Sequence, residues 1–292
     1  MGQRVVGLSV ANSPLAIPVP RPGPFPSRCV HPAYRSARMK RGELPKAPSL
    51  AAVTLDCWQT LLVDTDNSRA IGLRIEALKE AASRTGRVIS TVGATEILDA
   101  AWRRHTHDWQ DHKAVGSGHM ARWCLESLGL GHEDVSREAP ELERIFAHAG
   151  LQSEIQPLDG ARKTLEFLVA AGVRCALVCD TGYSPGPVVR QFLARAGLLE
   201  NLEAQIFSDE VGVPKPEPAI FHAALRALGA GTTESVHVGD LKRTDVAGAR
   251  SLGMRTVRIR QTHDDASPLS EADCVVDSHA DLRAALAPLI PV

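Results

Sequence analysis

From Pro157 to the C-terminus, short apolar runs alternate with amphipathic stretches of helical period, and this rhythm limits the fold more than any other feature of the sequence. Strands are expected at Arg174–Val178, Ala204–Phe207, Ser235–Val238, Thr256–Ile259 and Cys274–Val276. Helices are expected between them over Gly160–Ala171, Pro187–Ala196, Pro218–Leu228 and Thr244–Leu252, with a last one from Ala280. Apolar runs without alternation are strands buried on both faces, and strands separated by helices are parallel. An earlier apolar run, Ala51–Leu55, belongs to the same sheet and ends on Asp56. The expected architecture is α/β, a doubly wound parallel sheet.

Between that first strand and Pro157 the period is helical throughout. Four helices are expected, at Ser68–Arg84, Ala94–His112, His119–Leu128 and Ser136–His148, separated by Gly- and Ser-containing breaks. A small α-helical unit at 66–151 is therefore inserted after the first strand of a core made from 49–65 and 152–292. Residues 1–48 read as a disordered extension. The first 38 contain no acid, five arginines and seven of the nineteen prolines, and Ile17–Pro26 suits neither helix nor central strand. Met39 is an alternative start. Five of the 33 basic residues and none of the 34 acids lie in that leader, so the remainder carries a net charge of about −6.

The near-neutral charge and the lack of a long apolar run point away from nucleic acid and membranes as partners. The expected protein is a cytoplasmic monomer or homodimer. Its six cysteines show no C-x-x-C or zinc spacing, and several lie in apolar runs as reduced core residues.

Ligands of open parallel sheets bind at the carboxyl ends of the strands. Asp56 follows the first strand. Cys179, Asp180 and Thr181 follow the second, and Lys215 lies beyond the third in Val213-Pro-Lys-Pro-Glu217. Gly239 and Asp240 follow the fourth, with Asp245 five residues later. Any one of these could be a turn or cap residue; together they form a convergent polar site.

These segments resemble the haloacid dehalogenase superfamily over nearly all of 51–290. Asp56-Cys57-Trp58-Gln59-Thr60 stands where the family has D-x-D-x-T. Val178-Cys179-Asp180-Thr181 stands where it ends a strand in Ser or Thr. Lys215 matches its lysine, and Gly239-Asp240 through Asp245 matches G-D-x4-D. The helical insertion resembles the small cap of the subgroup whose cap follows the first motif. The resemblance implies Asp56 as nucleophile and Lys215 neutralising charge. It implies Mg²⁺ held by Asp56, Asp240, Asp245 and the Trp58 carbonyl, with Thr181, Cys179, Asp180 and the Trp58 side chain as candidates for contact with the substrate. The implied activity is hydrolysis of a small phosphorylated metabolite through an aspartyl-phosphate.

Two departures bear on that activity. Trp58 occupies the position of the second aspartate, which in family phosphatases moves the leaving-group proton. Haloacid dehalogenases carry an aromatic residue there, and metal-independent dehalogenation is one alternative. They do not keep the full acid pair of the fourth motif, which favours a metal and a phosphate. Cys179 rather than a hydroxyl stands at the second-motif position. A catalytically weak binding or regulatory protein is a further alternative.

Three of the four tryptophans fall in the insertion. Trp102, His105, Asp108, Trp109 and His112 share one helical face. That face either packs on a neighbouring helix or looks into the site, where His105, Trp109 and His112 would touch substrate or supply the missing proton. His119 and Trp123 make a similar pair.

Overall fold

The computed structural model describes residues 49–290, so the disorder expected for 1–48 lies outside the described residues. The chain enters through β1 (Ala52–Leu55), buried at every position. It turns sharply after Asp56, with the Leu61 and Leu62 amides both donating to the Cys57 carbonyl at 2.8 Å. It then leaves through β2 (Leu62–Asp66) into α1 (Ser68–Arg84), α2 (Thr91–Gln110), α3 (Ser117–Ser127) and α4 (His132–Ala149), and returns along β3 (Glu154–Pro157). The βα rhythm follows as α5 (Ala161–Ala170), β4 (Arg174–Cys179), α6 (Gly186–Arg195), β5 (Ala204–Phe207), the single turn α7 (Ser208–Val211) and α8 (Pro218–Leu228). After these come β6 (Ser235–Gly239), α9 (Ala247–Ser251), β7 (Arg255–Ile259), β8 (Cys274–Val276) and α10 (His279–Leu286).

The main sheet has the order β5-β4-β1-β6-β7-β8, and every neighbouring pair is parallel. Counted along the chain, this is strand order 3-2-1-4-5-6, whose connections reverse direction between β1 and β6. Side chains alternate across the sheet as the pleat requires. Val53, Leu55, Cys175, Leu177 and Val238 meet Leu165, Phe192 and Leu282 from α5, α6 and α10 on one face. Ala52, Ala176 and Val178 meet Ile220, Phe221 and Ala249 from α8 and α9 on the other. Burial on both faces is why these strands are continuous apolar runs.

Helices α1 to α4 close around a separate core that includes Leu78, Leu98, Met120, Leu125, Leu142 and Phe146. Sequence and structure differ mainly at boundaries. Helix α2 starts at Thr91 rather than Ala94, because the Ser90 hydroxyl accepts from the Gly93 amide at 3.1 Å. Helix α4 starts at His132 rather than Ser136, with Glu133 and Asp134 in its first turn, where acids suit the helix dipole. The helix expected at Thr244–Leu252 is instead a π-helical turn, Lys242–Val246, running into α9. Strands β2 and β3 were not expected. They form an antiparallel ribbon whose residues are largely exposed, so no apolar run marks it. Among the described residues no helix is long and apolar enough to cross a membrane.

Candidate active site

Asp56 emerges from β1 at the point where the strand order reverses. Its amide donates to the Val238 carbonyl at 2.8 Å, which seats it beside the end of β6. There Gly239 leads to Asp240, and a Cβ on Gly239 would overlap the Asp245 side chain, so this close approach requires glycine. The π-helical turn after Leu241 swings Asp245 back under the strand end, and its Oδ2 accepts from the Leu241 amide at 3.0 Å. Asp56, Asp240 and Asp245 are all buried, each with a carboxylate oxygen within 4.8 Å of the others'.

One cation stands among them. The Lys215 ammonium, itself buried, donates to Asp56 Oδ1 and, at 2.7 Å, to Asp245 Oδ1. Burial opposes its charge, but Asp245, Asp56 and Asp180 outweigh that and hold its pKa well above the ordinary value. Burial also opposes ionisation of Asp245; Lys215 and His237 overcome it and hold this carboxyl well below its usual range. The other two acids go the opposite way. Burial, with Asp245 adding to it, pushes Asp56 up to about 7 against the pull of Lys215. Burial together with Asp56 and Asp245 pushes Asp240 up to about 9.

Among the described residues no ion pair reaches Asp240. Three clustered carboxylates balanced by one lysine are short of positive charge, and they offer only hard oxygen donors. That donor set fits a divalent cation such as Mg²⁺, whose binding would displace the protons that Asp240 and Asp56 otherwise keep.

His237 was not singled out from the sequence, because a histidine inside an apolar strand reads as core. It lies buried in β6, with Nε2 3.2 Å from Asp245 Oδ1 and Nδ1 2.8 Å from the Thr54 hydroxyl. Burial lowers its pKa, so the ring is neutral. With Nε2–H donating to the carboxylate, Nδ1 accepts from Thr54, and Asp245 is held from behind by the sheet itself.

At the end of β4 the three candidates separate. Cys179 alternates into the α5–α6 face beside Cys57, wholly buried, and its thiol is pushed well up, first by its hydrogen bond to Cys57 and then by burial. This corrects its candidacy for substrate contact: the pleat turns it into the core. Thr181 supplies the hydroxyl at this strand end. Its amide donates to the Ser208 hydroxyl at 2.9 Å, and the two hydroxyls lie 3.1 Å apart. Asp180 uses both oxygens as a joint, Oδ1 accepting from the Lys215 amide and Oδ2 from the Trp109 indole N–H, each at 2.8 Å.

The aromatic face of α2 packs on the core loops rather than on a neighbouring helix. Trp102 stacks on Tyr183 with ring centroids 5.6 Å apart, and on His105 at 4.9 Å. Trp109 reaches Asp180, and His112 Nδ1 pairs with Glu217 Oε1 at 2.5 Å. His105 is not a proton donor at neutral pH, because burial drops its pKa to about 4. Asp108 turns to Lys113 at 3.0 Å, which leaves no metal cluster with His105 and His112 among the described residues. Trp123 lies under the Arg104 guanidinium, 4.1 Å from its ring centroid, and packs against the helical core. Trp58 lies edge-on to Phe192, 6.0 Å between centroids, so its ring is a packing group.

A family model described as haloacid dehalogenase-like hydrolase matches residues 50–253. A phosphoserine phosphatase of Thermus thermophilus is 31% identical over 238 residues, which cover 73% of this chain and 92% of that protein. A glyceraldehyde 3-phosphate phosphatase of Methanopyrus kandleri is 41% identical over 169 residues, 55% of this chain and 68% of that one. Among solved structures, a HAD phosphatase from Thermococcus onnurineus superposes with a TM-score of 0.56 at 26% identity, over 81% of this chain and 98% of that one.

Proposed function

We propose, for a chain that belongs to the haloacid dehalogenase-like hydrolases, Mg²⁺-dependent hydrolysis of a small phosphorylated metabolite through an aspartyl-phosphate on Asp56. The observation that carries this reading is the trio of buried acids, Asp56, Asp240 and Asp245, of which only Asp56 and Asp245 are paired with Lys215. Relatives named as phosphatases of phosphoserine and glyceraldehyde 3-phosphate support it. Mg²⁺ held by the three acids and the Trp58 carbonyl would offset the repulsion between a phosphate dianion and Asp56.

Asp56 attacks phosphorus in line, the ester P–O bond breaks, and the leaving oxygen departs with the bonding pair. Lys215 holds Asp56 in place and neutralises charge on the transferring group, while the Thr181 hydroxyl binds a phosphate oxygen. Water then attacks the phosphorus of the aspartyl-phosphate, releasing inorganic phosphate and restoring Asp56.

The proton for the leaving oxygen has no donor at position 58. His105 is neutral at working pH and His112 is engaged by Glu217, so the leaving group takes its proton from water. Turnover is then expected to rise steeply as the leaving group becomes a weaker base, with p-nitrophenyl phosphate far ahead of alkyl phosphates. Trp58→Asp restores the acid and is expected to raise kcat/KM on alkyl phosphates by about 10²-fold, with little effect on the aryl ester. Equal rates on both esters in the wild type would refute this account of the missing donor.

Trp58 favours one second reading, hydrolytic dehalogenation at carbon, since halide leaves without a proton. Without a metal ion, three acids balanced by Lys215 alone would repel both each other and an incoming haloacid carboxylate. A screen of phosphoesters and 2-haloacids with and without chelator separates the two. Phosphatase turnover abolished by chelator supports the proposal; haloacid turnover indifferent to chelator would replace it.

A further inference from the structure

One residue of the fourth motif is left without work in the mechanism above. Arg243 lies in the π-helical turn between Asp240 and Asp245. Its neighbour Lys242 anchors the turn outward, with the amide donating to Asp265 at 2.7 Å and the ammonium to the Ser267 carbonyl at 3.0 Å. The Arg243 guanidinium lies over the Trp109 ring, 4.0 Å from its centroid. Its Nη1 and Nη2 are both shielded from solvent and have no hydrogen-bond partner. Trp109 in turn donates to Asp180, which receives the amide of Lys215, so two side chains link the guanidinium to the backbone of the site lysine.

Two buried guanidinium nitrogens without acceptors are costly, and stacking on an indole repays only part of that. A planar oxyanion accepting from both would satisfy them as a bidentate pair. The reacting phosphate is already provided for by Lys215 and Thr181, so this second anion belongs to the other end of the substrate. We infer that Arg243 is a specificity residue. It binds a distal oxyanion, a carboxylate or a second phosphate, with Trp109 as its cover, and the substrates are small phosphomonoesters that carry such a group.

This inference rests on the phosphatase reading, but it is read by binding as well as by turnover. Calorimetric titration in Mg²⁺ would compare 3-phosphonopropionate with propylphosphonate, which differ only in the distal carboxylate. Propane-1,3-diphosphonate would test the second phosphate. The wild type is expected to bind at least one of the two ligands that carry a distal anion about 10- to 100-fold more tightly than propylphosphonate. Arg243→Gln should bring that ratio close to one, and Arg243→Lys should keep part of it. The ligand whose advantage disappears identifies the anion. The same collapse is expected in the ratio of kcat/KM on phosphoglycolate to that on ethyl phosphate. A wild-type ratio near one for both ligands, or a ratio unchanged in Arg243→Gln, would overturn the assignment. A protein that discriminates by Arg243 yet hydrolyses no phosphoester would overturn the phosphatase reading alone.

Discussion

Asp56→Asn is expected to lower phosphatase turnover by about 10⁴-fold or more while leaving the protein folded. Asparagine keeps the shape and the contact with Lys215 but has no anionic oxygen with which to attack phosphorus. Stability should not suffer. Burial, with Asp245 adding to it, pushes Asp56 up to about 7, so in the absence of metal its charge is a burden on the fold. Removing that charge relieves repulsion with Asp240 and Asp245 at alkaline pH. The variant is therefore expected to melt at or above the wild-type temperature in chelator, with the gap widening as pH rises from 3.8 towards about 7 and levelling off above it. Single-turnover phosphate release alongside thermal melts separates loss of chemistry from loss of structure. Full turnover in the variant would remove Asp56 from the mechanism. A wild type that binds phosphoesters without turning them over, with binding intact in Asp56→Asn, would instead mark a regulatory protein.

The acids and lysine of the site were legible in the sequence because a parallel sheet announces its strand ends. Each buried strand is an apolar run, and the first polar residues after it stand at the carboxyl edge. Asp56 and Asp240 follow from that rule, and the adjacency of β1 and β6 brings them together, while Lys215, eight residues past the end of β5, was marked by its Val-Pro-Lys-Pro-Glu setting. Residues whose role depends on direction rather than position were not legible. Cys179 and Thr181 are two apart and share a strand end, yet one is turned to Cys57 and the other meets Ser208. His237 sits in the apolar run of β6, where no period distinguishes a packing histidine from one that holds Asp245. The face of α2 was clear as a stripe, but its partner was not, because the fourteen residues from Asp180 to Leu193 carry no mark of what lies above them. Arg243 is the extreme case. A missing hydrogen-bond partner has no sequence signature at all.

Lys215→Met is expected to be the most destabilising single change at the site. The lysine is buried between Asp56 and Asp245, and Asp180 also faces it. Removing one member of a buried charge group typically costs about 3–5 kcal/mol, because the partners stay behind without compensation. Here the loss should depend on pH in a defined direction. Carboxyl groups that have lost their cation have raised pKa values in the folded state, so the folded protein binds more protons than the unfolded chain. Stability then falls as pH rises through the window between the ordinary carboxyl value of 3.8 and the raised values, of which Asp240 at about 9 is the upper marker in the wild type. Urea unfolding should show a small gap between variant and wild type near about pH 5 and a much larger one near about pH 8. Mg²⁺ should recover part of the gap, since it replaces the lost positive charge among the same oxygens. Asp56→Asn added to Lys215→Met should recover part of it too, because it removes one of the charges left unpaired, and the double-mutant cycle measures that coupling. A destabilisation equal at both pH values, and indifferent to both Mg²⁺ and Asp56→Asn, would mean that Lys215 contributes packing alone. The charge balance at the centre of the proposed site would then have to be abandoned.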